Sequence, residues 1–144
     1  TAQAIDKDGW LHTGDLASMD EEGYFKITGR IKDMIIRGGE NIYPVEVEEV
    51  LNMHSGVKDS IVTALHDSRL GEIVTAYVVS CDPSLTAETL EHYCKTTPLL
   101  ANYKRPHYYR FVSELPMNTT GKKMHHVMKK IAAQDLSKHK LIRV

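Results

Sequence analysis

No uninterrupted apolar run in the sequence approaches the ~20 residues that a membrane-spanning helix needs. Neither sign of charge dominates, since 18 Lys and Arg stand against 19 Asp and Glu, and this removes the electrostatic argument for nucleic acid or an anionic lipid surface. Only two cysteines occur, and Cys81 and Cys94 lack the CxxC spacing of a metal or redox site. Both are expected as small core residues. The histidines are scattered, and the adjacent pair His125 and His126 lacks the three- or four-residue spacing that puts two ligands on one helix face; no metal site is expected. Internal repeats, low-complexity tracts and an apolar signal core are all missing. Opening on Thr1 with no leader, the chain is expected to be an excised piece of a longer protein, soluble and cytoplasmic.

What is present is enough for one globular core, with 144 residues of which 42% are hydrophobic. From Trp10 to Ile27 two short extended pieces flank the turn Asp20-Glu21-Glu22-Gly23, which predicts a hairpin. A polar joint, Gly29 to Asp33, puts a domain boundary near Lys32. Pro44 suits the first helical position, Glu46, Glu48 and Glu49 complement the helix dipole, and Val47, Val50 and Leu51 share a face, so a helix runs from about Pro44 to His54. The runs Ser60 to Leu65 and Ile73 to Ser80 read as a second hairpin. Thr86 caps the next helix, with Leu85 and Leu90 at the spacing of a hydrophobic staple and Leu90, Tyr93 and Cys94 facing inward. A strand from Tyr108 to Val112 and a helix from about Lys123 to Leu136, with Met124, Val127, Met128 and Ile131 as its buried stripe, complete the chain. Without regular βαβ alternation, this is an α+β fold with a small mixed or antiparallel sheet flanked by amphipathic helices.

Three segments carry chemistry. In Trp10-Leu11-His12-Thr13-Gly14-Asp15, a carboxylate after a glycine can accept two hydrogen bonds from a vicinal diol such as a ribose, although a turn aspartate capping its own backbone has the same appearance. From Gly29 to Pro44, the paired glycines Gly38-Gly39 among basic residues allow close approach to a phosphorylated ligand, or simply a tight turn. Pro116-Met117-Asn118-Thr119-Thr120-Gly121-Lys122-Lys123 is a polar loop ending in lysines. It is not a P-loop, because Pro116 and Lys123 stand where the Walker pattern requires a glycine and a Ser or Thr.

In this order and at these separations the three segments resemble the C-terminal portion of the adenylate-forming superfamily, from Trp10 to about Ile131, and the stretch Lys32 to Glu48 resembles fatty-acyl and related acyl-CoA ligases most. The resemblance implies an enzyme that activates a carboxylate with ATP to an acyl-adenylate, Mg2+ accompanying the ATP, and passes the acyl group to CoA. It implies that residues 1–31 close a large N-terminal domain, which is the main partner, and that residues 32–144 form a mobile C-terminal domain turning about a hinge at Lys32. Asp15 and Arg30 then hold the ribose hydroxyls, Lys122 is the catalytic lysine of adenylation, and Gly38 and Gly39 line the pantetheine channel. Taken alone, the chain is expected to be inactive, and its N-terminal segment to pack poorly or to pair with another copy.

The family often has an aliphatic residue and then an arginine after its lysine, whereas this chain has Lys123-Met124-His125-His126; surface variation is the expectation. A ligase for a carrier protein or for aryl acids is the alternative within the superfamily. An α+β interaction module, using the basic segment Lys138 to Arg143, is the alternative outside it.

Overall fold

A computed structural model describes residues 4–144, so the first three residues of the segment 1–31 lie outside the described residues. The described residues form, in chain order, β1 (Asp15–Met19), β2 (Phe25–Arg30), β3 (Ile35–Arg37), β4 (Glu40–Ile42), α1 (Pro44–Asn52), β5 (Val57–Asp67), β6 (Gly71–Ser80), α2 (Ala87–Thr96), β7 (Tyr108–Phe111), α3 (His125–Ser137) and β8 (Ile142–Arg143). A 3-10 turn at Ile31–Asp33 joins β2 to the rest. Among the described residues no helix is long and apolar enough to cross a membrane.

β1 and β2 make the first expected hairpin, a two-stranded sheet of its own. Its large apolar side chains, Met19, Phe25 and Ile27, are exposed, as is Trp10 just before it. The main sheet runs β4-β3-β6-β7-β8, with β5 paired to β6. β5 and β6 form the second expected hairpin, longer at both ends than the apolar runs indicated. β6 and β7 are parallel and joined through α2. One βαβ crossover therefore sits in an otherwise antiparallel sheet, which the absence of regular alternation in the sequence did not reveal.

Both faces of the sheet are buried, which is why β5 and β6 read as near-continuous apolar runs. Val62, Ala64, Val74, Ala76 and Val78 face α1 and α2. Ile61, Leu65, Ile73 and Tyr77 face Met128 and Ala132 of α3. Each of these larger side chains contributes roughly 1.5–3 kcal/mol relative to exposure. Tyr77 is wholly buried and its hydroxyl donates to Asp135 Oδ2 at 2.9 Å, while Arg110 pairs with the same carboxylate. Of the stripe expected on α3 only Met128 is fully buried, Val127 and Ile131 being half-buried and Met124 preceding the helix; Ala132 and Asp135 complete the buried face.

Two helix-start signals act as read. Pro44 occupies the first turn of α1, and the Thr86 side chain accepts from the Thr89 amide at 3.2 Å at the start of α2. Of the cysteines, Cys94 is buried but Cys81 is exposed, against the expectation for both. The two-residue strand β8 pairs with Tyr108 and Tyr109, so part of the basic C-terminal segment is tied into the sheet; a two-residue strand leaves no periodicity to read.

Candidate active-site cleft

The turn at Ile31–Asp33, the first turn of α1, the middle of β5, the lysine loop and the start of α3 surround a cleft of about 1150 Å³. Asp15, Arg30, Lys32 and Lys122 all line it. Asp15 and Arg30 are opposite partners at the open end of the β1–β2 ladder, and Arg30 Nε donates to Asp15 Oδ1 at 3.2 Å. The Asp15 amide itself donates to Thr13 Oγ1 at 3.1 Å, which leaves the Asp15 carboxylate free of its own backbone.

Lys122 sits on a loop closed by one side chain. Asn118 Oδ1 accepts from the Lys122 amide at 2.8 Å, from the Thr120 amide at 3.0 Å and from the Thr120 hydroxyl at 2.8 Å. The backbone pairing of Met117 with Lys123 closes its base. Lys122 is exposed, and its ammonium makes no ion pair among the described residues. Lys123 is paired instead. Its Nζ donates to Ser60 O at 2.6 Å and lies 2.7 Å from Asp59 Oδ1 and 3.6 Å from Glu48 Oε2. Both lysines line the cleft, but Lys123 is held by ion pairs whereas Lys122 is left unpaired among the described residues.

Sequence reasoning missed the cluster that makes this split. Glu48 was read as a helix-dipole charge, yet it is buried on the inner stripe of α1 with Pro44, Val47 and Leu51. The i, i+3, i+4, i+7 spacing of these four was the available signal. Glu48 Oε1 accepts from the Val62 amide at 2.8 Å and lies 2.7 Å from His125 Nε2. Among the described residues β5 pairs only with β6, so its outer edge leaves backbone groups without a strand partner there. Glu48 satisfies one at Val62 and Lys123 another at Ser60. Lys123 and His125 are accordingly not surface variation. They compensate a carboxylate that would be costly to bury without partners. Only His126 of that stretch is exposed with no ion pair among the described residues.

Burial opposes the protonation of His125, but the hydrogen bond and charge of Glu48, with the charge of Asp33, outweigh it and raise the imidazole's pKa above its ordinary value. His107, beside β7, is shifted the other way: burial and then the Arg37 guanidinium lower its pKa.

Gly38 and Gly39 are not part of this cleft lining. They are the two central residues of the β3–β4 hairpin, with φ of 58° and 90°, the two positive values of a type I′ turn. The Gly38 amide donates to Leu70 O at 2.8 Å. At Gly39 an added Cβ meets nothing within 4 Å, so that side of the turn is open to a ligand.

The family model for the AMP-binding enzyme C-terminal domain matches residues 46–122, more than half the chain. The chain belongs to this family. The domain is 49% identical over 123 residues to a putative acyl-CoA synthetase, YngI, of Bacillus subtilis, a match that covers 85% of the chain and 22% of the relative. It is 47% identical over 124 residues to the medium-chain fatty-acid–CoA ligase of Escherichia coli, again covering 85% and 22%. Among solved structures, o-succinylbenzoate CoA synthetase of Bacillus subtilis, in complex with its acyl-adenylate intermediate, superposes with a TM-score of 0.81 at 40% identity over 88% of this chain and 26% of that one. Another structure of the same synthetase holds ATP and a magnesium ion. This AMP-binding C-terminal domain thus spans about a quarter of the length of such relatives.

Proposed function

We propose that this AMP-binding C-terminal domain belongs to a longer ATP-dependent, AMP-forming acid–thiol ligase that activates a carboxylate, in this reading a fatty acid, and transfers it to CoA. The observation that supports the reading is the gathering of Asp15, Arg30 and Lys122 around one cleft, although Lys122 is far from the other two in sequence. A diol-accepting carboxylate, a guanidinium and an unpaired ammonium suit the ribose and α-phosphate of a nucleotide.

In this reading Asp15 accepts hydrogen bonds from the ribose hydroxyls and Arg30 fixes the Asp15 carboxylate. A substrate carboxylate oxygen attacks the α-phosphorus, the bond to the β-phosphate oxygen breaks, and pyrophosphate leaves. Lys122 offsets the negative charge that gathers around the phosphorus and the attacking oxygen. In the second half-reaction the CoA thiol attacks the acyl carbon and AMP departs as the proton leaves the sulfur. We assign Gly38 and Gly39 to that step, at the mouth of the pantetheine channel, after rotation about Lys32. Residues 1–31 then belong with a large N-terminal domain and residues 32–144 with the mobile one. The exposed apolar side chains of the β1–β2 hairpin suit such a partner surface or a second copy.

Among the described residues no group of three or more His, Cys, Asp or Glu is placed to hold a metal ion. We therefore assign Mg2+ to the ATP phosphates and to protein outside this chain. A cytoplasmic location belongs to the same proposal.

The test is a two-part assay of the longer protein with carboxylates of graded chain length, following pyrophosphate exchange and thioester formation separately. Both are expected with fatty acids. An aryl-acid ligase is the second reading, favoured by the likeness to o-succinylbenzoate CoA synthetase, and exchange with aromatic acids alone selects it. Exchange without transfer to CoA selects a carrier-protein acceptor, and absence of both rejects the proposal.

A further inference from the structure

Three charged side chains that the adenylation reading does not use converge in the lining of the same cleft as Lys122. Asp33 ends the turn that holds Lys32, Glu48 comes from α1, and His125 is the first residue of α3. His125 Nε2 lies 2.7 Å from Glu48 Oε1, and His125 Nδ1 lies 4.0 Å from Asp33 Oδ2. Two other residues of this lining, Lys32 beside Asp33 and Lys122 three positions before His125, are exposed. An exposed side chain has no packing of its own to aim it, so its direction depends on how firmly the backbone beneath it is held.

We infer that His125 is a positioning residue for Lys122: clamped between Glu48 and Asp33, it fastens the start of α3, and with it the Lys122 loop, to the turn at Ile31–Asp33. The inference rests on the assignment of Lys122 to adenylation. Two carboxylates face the imidazole from other elements, Glu48 on α1 and Asp33 in the turn. The opposing charge is Lys123, whose ammonium is already compensated by Asp59 and Glu48. A neutral imidazole keeps its hydrogen bond to Glu48 but loses its attraction to Asp33. The clamp therefore holds best with His125 protonated and slackens as pH rises through its raised pKa.

Relaxation of backbone ¹⁵N nuclei in the 144-residue chain tests the clamp without any enzymology. His125→Gln is expected to raise mobility at Gly121 and Lys122 while β5 and β6 keep theirs, and His125→Arg, charged at every working pH, to restore order. Unchanged mobility at Gly121 and Lys122 in His125→Gln overturns the inference. In the longer ligase, His125→Gln is expected to lower kcat for acyl-adenylate formation on the order of 10²-fold with KM for ATP held. The decline of that rate at alkaline pH should disappear in His125→Arg. Parallel damage to kcat, KM and thermal stability in both variants would mark a residue needed only for folding, and overturns the inference as well. A wild-type protein that forms no adenylate rejects the functional proposal alone, and the mobility measurement then decides the clamp.

Discussion

Arg30 Nε donates to Asp15 Oδ1 at 3.2 Å across the last register pair of a two-stranded ribbon, at the rim of the cleft. Arg30 is largely exposed and Asp15 partly so, and solvent screening leaves the pair contributing little to stability, about 0–1 kcal/mol. Asp15→Asn is expected to leave the thermal midpoint nearly unchanged and to raise KM for ATP by about tenfold, the loss of one charge-assisted hydrogen bond of ~1.5 kcal/mol. Steady-state kinetics and a melting curve check it. An unchanged KM removes Asp15 from the nucleotide site.

Lys122 is exposed and its ammonium makes no ion pair among the described residues. Lys122→Ala is expected to slow acyl-adenylate formation on the order of 10²–10³-fold, while a supplied acyl-adenylate is still converted to thioester. Stability should move by no more than about 0.5 kcal/mol. Equal loss of both half-reactions in rapid-mixing assays contradicts the assignment. Lys123→Ala provides the contrast, because it uncovers Glu48 and Asp59 and should lower stability first.

Gly39 separates backbone strain from obstruction. Leucine there must adopt a φ of 90°, at a cost of roughly 1–2 kcal/mol, whereas asparagine tolerates the left-handed region. Gly39→Asn and Gly39→Leu are both expected to slow thioester formation and to spare pyrophosphate exchange, with only the leucine variant losing stability. If the asparagine variant transfers to CoA at the wild-type rate, the turn does not line the channel.

Two histidines tilt the pH dependence of stability in opposite directions. The folded pKa of His125 lies above the ordinary 6.5, so its stabilisation is complete below that value and is lost as pH rises through the folded pKa. The folded pKa of His107 lies below 6.5, so its share is present above 6.5 and is lost as pH falls through the lowered pKa. Urea midpoints from about pH 5 to about pH 9 should fall on both sides. His125→Gln should flatten the alkaline limb and His107→Gln the acid one. A limb that survives its own variant belongs to another group.

The sequence by itself determined the local elements and the family. Pro44, Thr86, the Asp20–Gly23 turn and the apolar runs around Ile61 and Val74 each act within a few residues, through fixed φ, side-chain capping or alternation, so their consequences are visible without the fold. The three motif segments were legible for the same reason, since each is a contiguous loop. Only the tertiary structure decided that Asp15, Arg30, Lys32 and Lys122 share one cleft, that β6 and β7 run parallel through α2, and that Cys81 stays outside the core. It also decided the fates of Glu48, Lys123 and His125. A charged residue on a helix face or in a loop reads as solvated because burying it alone is prohibitive. That cost is met here only where α1, the unpaired edge of β5 and the start of α3 come together, and no single stretch of sequence contains all three.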